Sequence, residues 1–210
     1  MKKSIFLSFI LCLCLIACIP QQVMAQKQSR MEKLLRYLND NDADKWQKNR
    51  EKLDDETKAY YAEDLSLMDV LNDLWNGQSE QAATLYFGCY EKAAQSNFPG
   101  ICEGEKIPLS QIRDKADQSI INLLEASKDK IPFSRALLDS IHATEYPVDS
   151  AMLQRLQNIR EVALLEGMLK TPTPIIYQTY VKEYPNGKFI AQVNASENVR
   201  LYQLVKTAPT

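Results

Sequence analysis

The amino-acid sequence predicts an all-α protein, formed by antiparallel helical hairpins or by an irregular helical bundle. The apolar residues recur at steps of three and four, as they do on one face of an α-helix. They are Ile112, Ala116, Ile120, Leu123 and Leu124, then Met152, Leu156, Ile159 and Ala163. No stretch shows the sustained apolar-polar alternation of a strand. The dipeptide Asn186-Gly187, which often marks a β-hairpin, lies between two helical patterns instead.

This spacing predicts a series of helical segments. They cover residues 29–39, 43–53, 56–76, 79–95, 108–128, 132–143, 149–169, 173–184 and 188–206. Glycine and proline mark their ends: Gly77 ends one segment, Pro132 lies in a first turn, and Pro147 and Pro185 each separate two segments. Residues 95–101 are the one clear loop of the central region.

The N-terminal residues 1–25 have the pattern of a secretory signal peptide. A basic start precedes an apolar run over residues 5–19, and a small-residue cleavage site follows, ending at Ala25. The run is shorter than the roughly 20 residues of a membrane-spanning helix, so the pattern predicts export. We therefore expect residues 26–210 to form a single mature all-α domain, located in the periplasm.

The same N-terminal region contains a second processing signal besides the cleavage site after Ala25. Leu15-Ile16-Ala17-Cys18 resembles the lipobox of bacterial lipoproteins, in which the cysteine is lipidated and becomes the new N-terminus. Cleavage after Ala25 gives a diffusible protein, whereas lipidation of Cys18 gives a lipoprotein anchored to a membrane. Both alternatives stay open, and the first is preferred because Ile16 replaces the small residue usual in a lipobox.

The charge balance argues against nucleic-acid binding. The chain has 25 Lys and Arg against 27 Asp and Glu, and loss of Lys2 and Lys3 with the signal leaves 23 against 27. A mature net charge of about −4 offers no basic surplus for phosphates.

Two cysteines remain after cleavage at Ala25, and they are a disulfide candidate. Cys89 and Cys102 form an even pair in a protein expected to reach an oxidising compartment. A bond between them would close a loop of about 14 residues, worth roughly 3 kcal/mol in the chain-entropy model. Two free thiols are the alternative. The spacing is not that of a redox-active Cys-x-x-Cys motif.

An internal repeat of about 38 residues is expected within residues 131–206. Glu145-Tyr146-Pro147 and Glu183-Tyr184-Pro185 are identical tripeptides 38 residues apart, and each lies between two helical segments. With a one-residue deletion, apolar positions of the two following helices align: Val162, Leu164, Leu165 and Met168 with Val199, Leu201, Tyr202 and Val205. A bundle without repeats is the alternative.

The second tripeptide belongs to a longer string that carries a family resemblance. Residues 176–189, which include Tyr180-Val181-Lys182-Glu183-Tyr184-Pro185-Asn186-Gly187-Lys188-Phe189, resemble the inter-helix segment of bacterial tetratricopeptide-like repeats. Similar segments occur in helical-repeat proteins of the cell envelope, including a lipoprotein that supports assembly of outer-membrane β-barrels. The resemblance covers about residues 131–206. It implies hairpins stacked as a short superhelix and a partner-binding scaffold, and it supplies no catalytic residue. Upstream, residues 65–95 have the pattern of a further hairpin.

Catalytic motifs are missing from the sequence. The single histidine, His142, lies on a predicted helix, where it is more often structural than catalytic. The chain has no Gly-x-Ser-x-Gly elbow, no His-Glu-x-x-His zinc helix and no phosphate-binding glycine loop. We therefore expect neither an enzyme nor a bound cofactor.

One acidic string resembles a calcium-binding loop. Asp40, Asp42, Asp44 and Glu51 fall at positions 1, 3, 5 and 12 of an EF-hand-like pattern. Lys45 replaces the glycine of that pattern, so the simpler interpretation is a helix-helix connection. In it, Asp42 caps the next helix, Asp44 favours its first turn, and Trp46 and Leu53 face the core.

Several surface features remain as candidates. Tyr177, Tyr180 and Tyr184 are candidate groove residues for a partner, although aromatic residues at helical spacing more often pack between helices. Asp139-Ser140-Ile141 and Asp149-Ser150-Ala151 resemble acceptor sites for O-glycosylation of exported bacterial proteins.

Together these observations predict an exported, non-catalytic helical-repeat protein that binds a protein or peptide partner in the cell envelope. It would contact a membrane only if Cys18 is lipidated, as a lipid-anchored envelope-assembly factor. The competing alternative is a protein that binds a small ligand or glycan, or an enzyme, with its site in a cleft between helices.

Overall fold

The computed structural model describes residues 23–77 and 79–207, which form eleven helices and no strand. The all-α prediction is therefore confirmed. The apolar run of the predicted signal, with Cys18, lies outside the described residues.

The helices, labelled in chain order, account for most of the described chain. They are α1 (23–39), α2 (Ala43–Glu51), α3 (Asp55–Tyr60), α4 (Ala62–Trp75), α5 (Glu80–Ala94), α6 (Phe98–Glu105), α7 (Leu109–Ala126), α8 (Lys130–His142), α9 (Ser150–Lys170), α10 (Pro174–Glu183) and α11 (Ile190–Thr207).

Side chains at the helix starts explain several boundaries. Asp42, Asp54, Ser79 and Thr173 each precede a helix and accept a hydrogen bond from a backbone N–H in its first turn. Such caps satisfy backbone donors that have no partner within the helix. The predicted cap at Asp42 is thereby confirmed.

The predicted loop over residues 95–101 is wrong, because a short helix begins inside it. In α6, Phe98, Ile101 and Cys102 are buried at helical spacing. Pro99 is tolerated there because it lies in the first turn, where its missing N–H costs no helical hydrogen bond. The predicted segment 56–76 is also divided, into α3 and α4, at Tyr61.

The chain divides into two compact units. Unit 1 ends at Ala116 and unit 2 begins at Asp117, within α7. In unit 1, α4 and α5 pack extensively against each other, which confirms the hairpin predicted over residues 65–95. Arg36 of α1 donates two hydrogen bonds, of 2.6 and 2.7 Å, to the Glu105 carboxylate at the end of α6.

In unit 2, three helices pack on α9. Helix α8 packs on α9, while α10 and α11 pack on each other and on α9. A core cluster is formed by Leu164, Met168, Tyr180 and Val193, all fully buried. Gly167 of α9 permits this close packing, because a Cβ there would lie 2.9 Å from Ile131 and 3.3 Å from Ile176.

The helix boundaries do not keep a strict 38-residue period. Helices α8 and α10 begin at Lys130 and Pro174, whereas α9 and α11 begin at Ser150 and Ile190, which gives offsets of 44 and 40 residues. The two Glu-Tyr-Pro tripeptides also occupy different places. Glu183 is the last residue of α10, whereas the first tripeptide begins beyond the end of α8 at His142.

None of the helices in the described residues combines the length and the apolar character that a membrane crossing requires.

Candidate functional site

Helix α11 is packed along its first half. Val193 is fully buried. The Ser196 hydroxyl donates a 2.9 Å hydrogen bond to the Met168 carbonyl of α9, and the Tyr177 hydroxyl of α10 lies 3.2 Å from Oδ1 of Asn194. These contacts fix the position of α11 relative to its two neighbours.

The second half of α11 extends past both neighbours. Met168 lies two residues before the end of α9 at Lys170, and Tyr177 lies three residues after the start of α10 at Pro174. Beyond about residue 198, α11 therefore has neither helix beside it. At 1.5 Å per residue, residues 199–207 form an overhang about 14 Å long.

The overhang carries large apolar side chains that are exposed to solvent. Five of them are between 45% and 76% exposed: Val199, Leu201, Tyr202, Leu204 and Val205. Leu201 lies four residues after the buried Glu197 and eight after Val193, so it continues the packed face of the helix. The packed face of α11 therefore continues beyond residue 198, where no helix of the described chain covers it.

The charges of this half of α11 are basic. Residues 198–207 include Arg200 and Lys206 and no acid. Arg200 donates two hydrogen bonds, of 2.6 and 2.7 Å, to the Glu197 carboxylate, and this pairing lowers the pKa of Glu197. Lys206 lies at the exposed end of the overhang.

The three tyrosines predicted to line a partner groove have packing and hydrogen-bonding positions instead. Tyr180 is fully buried, so its predicted place in a groove is wrong. Tyr177 and Tyr184 are half-buried, and the Tyr184 hydroxyl donates to the Gln157 carbonyl at 3.1 Å. Tyr202 of α11, another aromatic residue at helical spacing, is exposed.

A buried hydrogen-bond network around Tyr180 fixes the turn between α10 and α11. The Tyr180 hydroxyl donates to the Glu161 carboxylate at 2.8 Å and accepts from the Phe189 backbone N–H at 3.0 Å. Glu161 also accepts from the Lys188 backbone N–H at 2.7 Å. Burial, together with the bond to Glu161, raises the pKa of Tyr180 to about 12.

A buried ion pair joins α9 to α10. The Arg160 guanidinium contacts both carboxylate oxygens of Glu183, at 2.5 and 2.9 Å, and also donates to the Ile131 carbonyl at 2.8 Å. Burial raises the pKa of Glu183, but the hydrogen bonds and charges of Arg160 and Arg135 outweigh it and lower the pKa overall. The pair holds α8, α9 and α10 together.

Unit 1 contains a cleft of about 650 Å³. Its lining residues are uncharged: Met24, Ala25, Gln28, Tyr60, Tyr61, Ser96, Asn97, Gly100 and Ile101. Tyr60 is about half exposed and contacts the Tyr61 ring edge-on, with ring centroids 4.8 Å apart. Cleavage after Ala25 would remove Met24 and Ala25 from this lining and leave the α-amino group of Gln26 beside it.

A buried carboxylate lies behind the cleft wall. Asp64 of α4 is 0% exposed. Its Oδ2 lies 3.4 Å from both the Ser96 hydroxyl and the Asn97 amide, while its Oδ1 makes no hydrogen bond. Burial raises the pKa of Asp64, and the hydrogen bonds from the Asn97 and Ser96 side chains, followed by those from the backbone N–H groups of Phe98 and Asn97, oppose that rise.

Cys89 and Cys102 are free cysteines in the structure, so the predicted disulfide is not formed there. Cys102 lies within α6 and not at the end of a loop, as the sequence predicted. Burial raises the pKa of its thiol to about 12. The sulfur of Cys89 is 3.5 Å from the Ser66 hydroxyl of α4.

The remaining predicted positions fall on helix ends and surfaces. Asp42 caps α2 and contacts the Lys45 ammonium at 2.6 Å, and Asp44 lies in the first turn, while Trp46 and Leu53 are buried as expected. Asp40 and Glu51 are exposed. Within the described residues, no group of three or more His, Cys, Asp or Glu is placed to hold a metal ion.

The other candidates include an exposed histidine and two serines. His142 ends α8 and is exposed, Ser140 is half-buried within α8, and Ser150 is exposed at the start of α9.

Sequence reasoning missed both features that stand out in the structure. The overhang was aligned with the core of α9, because both helices carry apolar residues at the same spacing. Asp64 follows Glu63 at the start of a helix, a place where acids are usually exposed. No sequence signal distinguishes it from such an acid.

Comparison with known proteins yields no match to any family model, curated protein or solved structure.

Proposed function

We propose that the protein is an exported, non-catalytic helical scaffold that binds a helix of a partner protein through the overhang of α11. The observation that carries this proposal is the set of exposed apolar side chains on residues 199–207, of which Leu201 and Leu204 continue the packed face of the helix. Export rests on the sequence pattern of residues 1–25. The resemblance to tetratricopeptide-like repeats agrees with a scaffold role.

An amphipathic helix is the partner that best fits this surface. Val199, Tyr202 and Val205 are three residues apart, and Leu201 and Leu204 have the same spacing, so they form ridges of the kind that pack into the grooves of another helix. Aromatic and aliphatic residues of this kind are typical anchors of protein interfaces.

The charge of the overhang specifies the partner further. Arg200 is already paired with Glu197, so Lys206 is the charge that the overhang presents to a partner, and the partner helix should have an acidic residue beside its apolar stripe at that end. A second copy of this chain lacks such acids in the corresponding segment. Self-association through α11 is therefore the weaker alternative.

Site-specific photo-crosslinking tests the proposal. Benzoylphenylalanine replaces Tyr202 in one version of the protein and Tyr60 in a control version, since both are exposed tyrosines. After irradiation of cells that naturally produce the protein, we expect a discrete crosslinked partner from position 202 that is not obtained from position 60. The crosslinked peptide should contain apolar residues at helical spacing with Asp or Glu beside them.

Three further variants separate specific binding from chance capture. Leu201→Glu and Val205→Glu should each abolish the crosslink without lowering the melting temperature, and Lys206→Glu should weaken it. Crosslinking of the chain to itself would assign the surface to a second copy and contradict the proposal. A lack of crosslinks above the Tyr60 control, or a crosslinked segment that is basic or irregular, would also contradict it.

A further inference from the structure

Cleavage after Ala25 places a reactive residue at the start of the mature chain. Helix α1 begins at residue 23, so the cut falls within its first turn and Gln26 becomes the first residue of the helix. An N-terminal glutamine is reactive, because its α-amine and the carbon of its own side-chain amide can close a five-membered ring. Such a reaction is intramolecular, and the two groups are held close together from the start.

The side chain of Gln26 is available for this reaction. Gln26 is exposed, and none of the hydrogen bonds among the described residues involves its side-chain amide. The two residues that follow are engaged instead. Lys27 is 7% exposed and its ammonium lies 2.5 Å from the Glu56 carboxylate, while the Gln28 amide donates to Glu32 at 3.0 Å. The helix is therefore held from Lys27 onward, and Gln26 is left at its free end.

A free α-ammonium is unfavourable at this end of α1. The N-terminus of a helix carries a partial positive charge of about one half, which repels a cation. The acids that pair with the first turns of α1 are already used, Glu56 by Lys27 and Asp54 by Arg30 at 2.9 Å. The described lining of the adjoining cleft contains no acid. A reaction that turns the amine into an amide removes this charge.

The cyclised residue also fits the start of a helix. The ring of pyroglutamate has the same five ring positions as proline. A proline ring is tolerated at the first position of a helix, because an N–H there has no partner within the helix. This chain provides an example, since Pro174 is the first residue of α10.

We propose that Gln26 of the exported protein is converted to pyroglutamate, so that α1 begins with an uncharged lactam. The neutral α-nitrogen attacks the carbon of the side-chain amide, and a C–N bond forms. The bond from that carbon to the amide nitrogen breaks, and this nitrogen leaves as ammonia with the proton that the amine gives up. The inference rests on the export and cleavage of the proposed function, and it does not depend on the surface of α11.

The lactam protects a helix that contributes to the core of unit 1. Met31, Leu34, Leu35 and Leu38 of α1 are each at most 1% exposed. Aminopeptidases need a free α-amine, and they act on exposed chain ends. Removal of Gln26 would bring them to Lys27 and its ion pair with Glu56. A chain that begins with pyroglutamate offers no such amine.

Mass spectrometry of the protein purified from cells that naturally produce it tests the proposal. Free amines are dimethylated on the intact protein directly after purification, which prevents cyclisation during digestion. A protease that cuts after glutamate then releases residues 26–32. We expect this peptide to lack one ammonia and to carry no dimethyl group on its first residue. Fragmentation should assign the loss to Gln26 and leave Gln28 intact.

Two asparagine variants provide matched controls. Gln26→Asn keeps a side-chain amide, but its cyclisation would need a strained four-membered ring. Its first residue should therefore be dimethylated, and an aminopeptidase should shorten it. Gln28→Asn alters an exposed amide of the same helix and should keep the lactam at Gln26 and the resistance of the parent.

The outcomes separate this inference from the proposed function. A dimethylated Gln26 in the parent would overturn the inference and leave export intact. A chain that begins with lipidated Cys18 would also overturn it, without affecting the partner surface of α11. A chain that retains residues 1–25 would contradict both the inference and export. Equal resistance of Gln26→Asn and the parent to the aminopeptidase would refute the protective role of the lactam.

Discussion

Helices α9 and α11 carry the same pattern of apolar residues, yet the two patterns have opposite environments. Leu164 and Met168 of α9 are 0% exposed, whereas Leu201 and Val205, which align with them in the sequence, are 45% and 76% exposed. The difference arises from the neighbours, because α10 and α11 cover α9, whereas the end of α11 extends past both α9 and α10. The spacing of apolar residues predicts an amphipathic helix. How much of that helix is buried depends on the helices that lie beside it.

We expect the largest effect on the free energy of unfolding from the ion pair that holds α10 on α9. Arg160→Met should destabilise unit 2 by about 3 to 5 kcal/mol, since it leaves the Glu183 carboxylate partly buried without its main partner. Arg155→Met is the control, because the pair that Arg155 forms with Glu125 is about half exposed on both sides and should contribute at most about 1 kcal/mol. Urea unfolding of the two variants measures the difference. Equal losses would mean that the cover over α9 does not depend on this pair.

A matched pair of leucines tests the comparison itself. Leu164→Ala should cost about 2 to 5 kcal/mol, because it leaves a cavity in the core of unit 2. Leu201→Ala should change the free energy of unfolding by less than about 0.5 kcal/mol, as expected for an exposed position. Thermal or urea unfolding of both variants gives the result. A large loss for Leu201→Ala in the isolated protein would show that the overhang is already covered.

The hydrogen-bond network around Tyr180 predicts a smaller difference in stability between two tyrosine variants. Tyr180→Phe removes the donor to the buried Glu161 carboxylate and the acceptor of the Phe189 N–H, and we expect a loss of about 1 to 3 kcal/mol. Tyr202→Phe, at the exposed aromatic position of α11, should leave stability unchanged. Hydrogen exchange of residues 186–192 should accelerate in the first variant only. Unchanged exchange in Tyr180→Phe would exclude the network as the anchor of this turn.

The smallest effect is a dependence of stability on pH. The pKa of Glu183 is lowered in the folded state from its ordinary value of 4.5. The unfolded state therefore binds the proton more tightly, and the contribution of Glu183 to stability is present above 4.5 and disappears as the pH falls through the lower, folded-state value. Urea unfolding between neutral pH and this acidic range should show the decline. Glu183→Gln should make it shallower, and an unchanged slope would contradict the assignment.

Much of the fold could be predicted because helices are local. The spacing of Met152, Leu156 and Ala163 located α9, and Pro147 and Pro185 marked two connections correctly. The error at α6 has an equally local cause. Asn97, Pro99 and Gly100 are turn-forming residues, and a helix of eight residues offers little periodicity against them.

The candidate sites could not be predicted because they depend on tertiary contacts. The exposure of Val205 depends on where α9 ends and α10 begins, and the pattern within α11 contains no information on either. The burial of Asp64 depends on α6 lying against the start of α4. Tyr180 was a candidate groove residue, although its helical spacing favoured packing between helices, and the fold packs it opposite Glu161.

Hydrogen exchange of the isolated protein tests the central claim, that the end of α11 is a packing face without a cover, most directly. Amides of residues 199–207 should exchange rapidly and those of residues 160–168 slowly, at every protein concentration, since the overhang lacks tertiary contacts. Addition of the partner segment identified by crosslinking at position 202 should slow exchange in residues 199–207. Equal protection of the two segments in the isolated protein, or protection that rises with concentration, would contradict the account.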